Sequence, residues 1–296
     1  MPYLGEISAL VAAFLWGGCA MMFESAGKRI GAFPTNLLRI LMAALFLCTT
    51  LYVRSGYFFP INVSKQQLFW LGSSGIIGLA LGDAALFKSL VILGSRRATL
   101  LLSLAPPITA ILAWIFLNEK LSSLAIAGIL LTMWGVYWVV SEGKVAEETR
   151  GSKLVGVVCG IMGAIGQGVG VIFVKYGLTT NIDSLSATIL RMVPAAVALW
   201  FVALVSGQAP GTIRALRNGR ASLATLGGAI LGPFVGVWLS LIAVKYTEAG
   251  VAATLLATVP VVILPMVYVV HKHIPSWRSV IGTAIAVGGI VFIFLR

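Results

Sequence analysis

Four polar side chains interrupt the long apolar runs of this sequence, and each is costly where it stands. Asp83 lies a few residues past the middle of the run 68–90, about 6 Å along a helix axis at 1.5 Å per residue. Its side chain is too short to reach a membrane surface, and a lone carboxylate in hydrocarbon would be neutralised. It must therefore face another helix, water or a cation on a substrate. Lys88, five residues on, is about 140° around the helix and badly placed to pair with it; near the run's end, it reads as a side chain that snorkels to the interface. Two readings of Asp83 stay open: a buried hydrogen bond to a hydroxyl or backbone group, or a carboxylate that binds a substrate's amino group or a coupling proton. Arg39 and Arg191 sit a few residues inside the runs 34–53 and 184–206, where they either snorkel or bond between helices. Gln167 can hydrogen-bond a ligand. Trp16 and Trp238 lie well inside their runs, whereas Trp70 and Trp277 sit where interfacial belt residues sit. The candidate substrate-binding set is Asp83, Trp16, Gln167, Trp238, Arg39 and Arg191.

The second kind of chemistry belongs to the backbone. Pro106-Pro107 falls near the middle of the run 97–117, and Pro260 and Pro265 fall at the matching depth of 250–270. Proline removes a donor and frees carbonyls, which membrane interiors tolerate only beside protein or a wet cavity. These four prolines are expected to kink two helices that line a central path. Glycines spaced four apart (78 and 82, 156 and 160, 166 and 170, and 228, 232 and 236) form smooth stripes for close helix approach, which places the third, sixth and eighth runs in the packed interior. Glu24 follows the first run. Glu119 follows the fourth, at a helix C-terminus that disfavours an anion. His271 and His273 share a basic loop and make a weak metal pair. Cys19, Cys48 and Cys159 all sit in apolar runs and read as small core residues. Neither a metal nor any other cofactor is expected, and no phosphate-binding loop or nucleophile elbow is present.

The elements that must hold these residues are membrane helices. The 296 residues are 59% hydrophobic and 10% charged, with a mean hydropathy of +1.02. A soluble domain uses about 25% charged residues. Ten runs, 3–23, 34–53, 68–90, 97–117, 121–140, 154–174, 184–206, 221–244, 250–270 and 276–295, are each long enough to cross a core of about 30 Å, and too continuous for barrel strands. The first is a retained span rather than a leader. The net charge of +12 lies in the short gaps between runs, so nucleic acid is not an expected partner.

The two halves resemble each other. Leu38, Arg39, Ala43, Ala44 and Leu47 recur as Leu190, Arg191, Ala195, Ala196 and Leu199. Without a gap, Gly78, Gly82, Ala98, Pro106, Ser122, Gly128 and Gly135 recur as Gly232, Gly236, Ala252, Pro260, Ser276, Gly282 and Gly289. Five spans per half is odd, so the second half enters from the opposite face. The expected fold is an all-α integral membrane protein with ten transmembrane helices in a 5+5 inverted-topology repeat, residues 1–143 and 144–296, with a substrate site between the halves. Twelve basic residues border the odd-numbered gaps against six on the other face, which puts both termini outside the cytoplasm.

Leu15-Trp16-Gly17, Leu38-Arg39, Gly82, Ser89-Leu90, Leu104-Ala105-Pro106, Leu117-Asn118-Glu119-Lys120-Leu121-Ser122 and Leu190-Arg191 together resemble the EamA-type branch of the drug/metabolite transporter superfamily. The likeness covers nearly the whole chain. It implies a 5+5 inverted-repeat transporter of small metabolites, often an exporter of amino acids or similar solutes, working without ATP. The sequence departs from the pattern at His273, where the second half lacks the Glu that the first has at position 119, and at Glu24, where a basic residue is frequent. The expected function is secondary transport of a small polar or amphipathic organic metabolite by alternating access, in a cell membrane, with the bilayer, the solute and a coupling proton as partners. The alternative is an intramembrane enzyme or lipid-handling protein using the same cavity.

Overall fold

A computed structural model describes residues 3–61, 63–118, 122–141, 152–178, 182–246, 255–272 and 276–294. In chain order the helices are α1 (Leu4–Ile30), α2 (Ala32–Ser55), α3 (Lys65–Ser74), α4 (Asp83–Leu93), α5 (Ser95–Leu102), α6 (Ala105–Leu117), α7 (Ser123–Ser141), α8 (Lys153–Gly177), α9 (Ser184–Val205), α10 (Ala209–Ala215), α11 (Gly219–Ala229), α12 (Val237–Tyr246), α13 (Val259–His271) and α14 (Trp277–Phe294). Taken with their continuations, eight stretches among the described residues are long and apolar enough to cross a membrane, and α13 and α14 are shorter apolar helices. Leu45, Tyr137, Phe201 and Val205 point outwards, which a bilayer accommodates and water does not. Glu119, His273 and the start of the expected ninth span, 250–254, lie outside the described residues.

One boundary corrects the sequence reading. The apolar run ends at Phe23, but α1 continues to Ile30, so Glu24 is within the helix and does not follow it. Glu24 is 3% exposed; its carboxylate accepts from Lys28 one turn on and from the Ser95 backbone N–H, both at 2.7 Å. Satisfied in this way, a charge continues a helix that hydropathy alone would end. Single glycines with positive φ, Gly31 (94°) and Gly94 (82°), then turn the chain into α2 and α5.

Small residues set the packing. A methyl added to Gly82 would lie 3.2 Å from Gly166 Cα, and one on Gly78 3.8 Å from Gly170 Cα, so the expected glycine stripes do meet, across α8. Another close crossing joins α7 and α14, where added methyls on Gly128 and Gly135 would meet the Gly289 and Gly282 carbonyls at 2.5 and 2.6 Å. Contact order descends along one helix as it ascends along the other, so the two run antiparallel. These are the matched glycines of the two halves, and the contacts exchange under the match: 128 meets 289 as 282 meets 135. The core between α2 and α9 gathers matched residues of both halves, Ala43, Ala44 and Leu47 with Ala195, Ala196 and Leu199.

Backbone irregularities recur in register too. The chain between α3 and α4, Gly75–Gly82, is π-helical, and so is Ile230–Gly236 between α11 and α12; the two end on the matched Gly82 and Gly236. Asn118 and Lys272, 154 apart like those glycines, cap α6 and α13 in the left-handed conformation. The prolines are corrected here. Pro106, Pro107 and Pro260 lie in the first turns of α6 and α13, where a missing N–H breaks no hydrogen bond. They start new helices after a break instead of kinking a continuous one, and of the four only Pro265 lies beyond a helix's first turn.

The halves differ in their packing. The end of α1 packs against α2 and α4, with Phe23 and Phe87 rings 5.0 Å apart. Among the described residues the counterpart α8 makes no comparable contact with α9 or α12.

Candidate functional site

The first residue of α4 is Asp83, and the π-helical turn before it sets its direction. It is 4% exposed, and it does have partners on other helices. Oδ2 accepts from Arg39 Nη2 on α2, and Oδ1 accepts from Gln167 Nε2 on α8 at 2.7 Å. Arg39 is 5% exposed, so of its two expected fates it takes the bond between helices. Nε and Nη2 also donate to Asn36 Oδ1 at 3.2 Å, and the guanidinium lies 5.0 and 5.6 Å from the ring centroids of Phe87 and Phe23, within cation–π range. The π turn adds carbonyls: Gly78 O lies 3.5 Å from Gln167 Nε2 and Ala80 O 3.5 Å from Asn36 Nδ2.

Arg191 approaches the same turn from α9. Its Nε donates to Ser74 Oγ at 3.1 Å, and Ser74 Oγ in turn donates to Gly170 O at 2.7 Å. The α9 backbone lies so close that a methyl on Gly75 would be 1.9 Å from Arg191 O. A methyl on Gly78 would be 3.9 Å from Arg191 Nη2. Asp83, Arg39, Gln167 and Arg191 thus gather around one π-helical turn, with Asn36 and Ser74 as members the sequence reading did not select.

The other candidates lie elsewhere. Trp16 is partly buried against the second π turn, its Nε1 3.2 Å from where a methyl on Gly236 would sit. Trp238 is 55% exposed, and its one described ring contact is Phe234 at 6.2 Å; its contacts do not include the Asp83 cluster. Pro265 lines an open apolar groove of about 860 Å³ between α1, α11 and α13, with Phe14, Met22, Leu223, Met266 and, at one end, Arg220. Trp70, expected in the interfacial belt, stacks on Tyr176 and meets Phe173 edge-on. The missed residue of most consequence is Glu24. Outside the spans, Asp183 caps α9 through the Leu185 and Ser186 N–H groups, both 3.1 Å away. Partial burial pushes its carboxyl up, but the Ser186 hydroxyl, those N–H groups and the Arg54 charge outweigh it and hold it below its ordinary value.

Comparisons with known proteins agree with this architecture. A crystal structure described only as that of a protein superposes with a TM-score of 0.62 at 17% identity, covering 97% of this chain and 95% of its own. That is a likeness of fold. The uncharacterized membrane protein YMR253C of Saccharomyces cerevisiae is 24% identical over 160 residues, which are 48% of this chain and only 38% of the yeast protein. The model of the EamA-like transporter family matches twice, over residues 3–141 and 154–295. Those matches take in both π-helical turns and every residue of the cluster. The chain, a multi-pass membrane protein, therefore belongs to the EamA-like transporter family of the drug/metabolite transporter superfamily.

Proposed function

We propose that this chain is a secondary transporter, an exporter in the cell membrane, of a small polar or amphipathic organic metabolite such as an amino acid. Ten spans in two inverted halves, 1–143 and 144–296, rock about a central site at Asp83, Arg39, Gln167 and Arg191, with Trp16 and Trp238 lining the path by the second π turn. The observation that carries the reading is the bond from Gln167 to Asp83. It joins the two matched copies at a place where charge is buried among apolar helices, as expected of a mid-membrane site between repeats. The antiparallel crossing of the matched helices α7 and α14 supports inversion, because equivalent helices run in opposite directions. The unequal packing of α1 and α8 supports alternating access: the path is closed at the Gly31 and Gly94 end and looser at the other. The breaks before Pro106 and Pro260 are the flexing points.

The test is efflux from proteoliposomes loaded with a panel of amino acids and related solutes. Asp83→Asn is to be compared with Asp83→Asn/Arg39→Gln, which leaves the cluster's net charge unchanged. Both variants insert and lose transport or its pH dependence. Transport with unchanged affinity and pH profile in the double variant would make the pair structural and move the site elsewhere.

A further inference from the structure

The cluster's charges do not balance. Arg39 and Asp83 neutralise each other, and each oxygen of Asp83 already accepts a bond. Arg191 occupies the position in the second half that Arg39 occupies in the first, but the residue matching Asp83 is Val237. Among the described residues its only hydrogen bond is from Nε to a neutral hydroxyl. Its Nη2 faces the glycine-lined π turn, 3.9 Å from where a methyl on Gly78 would sit, a place that Gly166 O and Gly170 Cα also border at 3.6 and 3.8 Å. Arg191 is only partly buried by its accessible surface. An intramembrane cation that feels Asp83 only through space and hydrogen-bonds to no carboxylate among the described residues is a standing cost, and the planar guanidinium presents its remaining donors in the geometry that carboxylates and phosphates accept.

We propose that Arg191 is the receptor for an oxyanion, carboxylate or phosphate, on the transported solute, so that substrates of this chain carry at least one negative group. This rests on the transport reading above. Arg39 and Asp83 then form a self-satisfied pair that holds the π turn in place, and the oxyanion supplies in the second half the charge that Asp83 supplies in the first.

Two measurements on the purified full chain test it. The first is efflux of L-leucine, succinate and phosphoserine, which carry oxyanions, against L-leucinamide and putrescine, which do not. The second is the shift in melting temperature produced by succinate, inorganic phosphate or phosphatidylglycerol in phosphatidylcholine vesicles. The proposal expects efflux of oxyanion-bearing solutes alone, a fall of about tenfold or more in Arg191→Gln, and partial retention in Arg191→Lys. It also expects Arg191→Gln to melt at or above the wild-type temperature and to lose the stabilisation by succinate or phosphate. Whichever of those two stabilises more identifies the oxyanion. Equal efflux of L-leucinamide and L-leucine, unaltered in Arg191→Gln, would overturn the receptor while leaving transport standing. If no solute moves, stabilisation of the wild type but not of Arg191→Gln by soluble anions upholds the receptor though transport fails. Stabilisation by phosphatidylglycerol alone makes it a lipid site and refutes the proposal.

Discussion

At the scale of residues, Arg39 and Asp83 form a buried pair whose value depends on both members. Desolvating two charges consumes most of their attraction, so replacing both by apolar groups of similar size is often neutral, whereas removing one leaves a charge without a partner. Arg39→Met is expected to cost about 3–5 kcal/mol, and Arg39→Met/Asp83→Leu to recover most of that, as read from thermal unfolding in detergent. A double variant no more stable than the single would mean that Arg39 acts through its rings and Asn36 and not through Asp83. That Asp83 needs a partner, on another helix, in water or on a substrate, was legible from its depth. That the partner is Arg39 was not, because nothing local connects residues 44 apart. Asp183 shows the same physics at the surface. Its folded carboxyl is held low, so it stabilises the fold above the unfolded value of about 3.9, and that stability is lost as pH falls through the lower folded value. Asp183→Ala should cost about 1 kcal/mol at neutral pH and progressively less in acid; a cost independent of pH would assign it to the cap's shape and not its charge.

At the scale of elements, glycine governs which helices touch. Gly75 is the sharpest case, since its Cα faces the α9 backbone with no room for a methyl. Gly75→Ala must push α9 away from the π turn and is expected to cost at least about 1–3 kcal/mol. Gly211→Ala in α10, with nothing within 4 Å, should be neutral or slightly stabilising, as alanine is in an exposed helix. Comparable melting temperatures for the two variants would contradict the close approach. The stripes themselves were readable from four-residue spacing, and so was the packing of the third and sixth runs. The π turns were not, because a π-helical turn and an α-helical one share the same apolar composition. The extension of α1 past Phe23 was hidden for the opposite reason: hydropathy marks where charge begins, and Glu24 and Lys28 are charged but mutually paired. The prolines were found at the right places and given the wrong local geometry, since only the backbone shows whether a proline bends a helix or begins one.

At the scale of the molecule, the paired irregularities carry more weight than any identity between the halves. Matched π turns, matched left-handed caps and the reciprocal crossing of α7 with α14 are costly or specific backbone features that two unrelated sets of apolar helices have no reason to share in register. The repeat also turns orientation into a single unknown. If the second half is inverted, the segments 56–64 and 207–218 lie on opposite faces, and the distribution of basic residues places the second, with Arg214 and Arg217, in the cytoplasm. Tyr57 is exposed in the first segment and Gly211 in the second. With Cys19, Cys48 and Cys159 replaced by alanine or serine, single cysteines at Tyr57 and Gly211 can be probed with an impermeant thiol reagent on intact cells. Labelling is expected at position 57 on intact cells and at position 211 only after permeabilisation. The reverse pattern would keep the inverted repeat and exchange its faces, making the closed Gly31–Gly94 end the outer one. Labelling of both positions on intact cells would place an even number of crossings between them, which five spans, from the third to the seventh, do not allow.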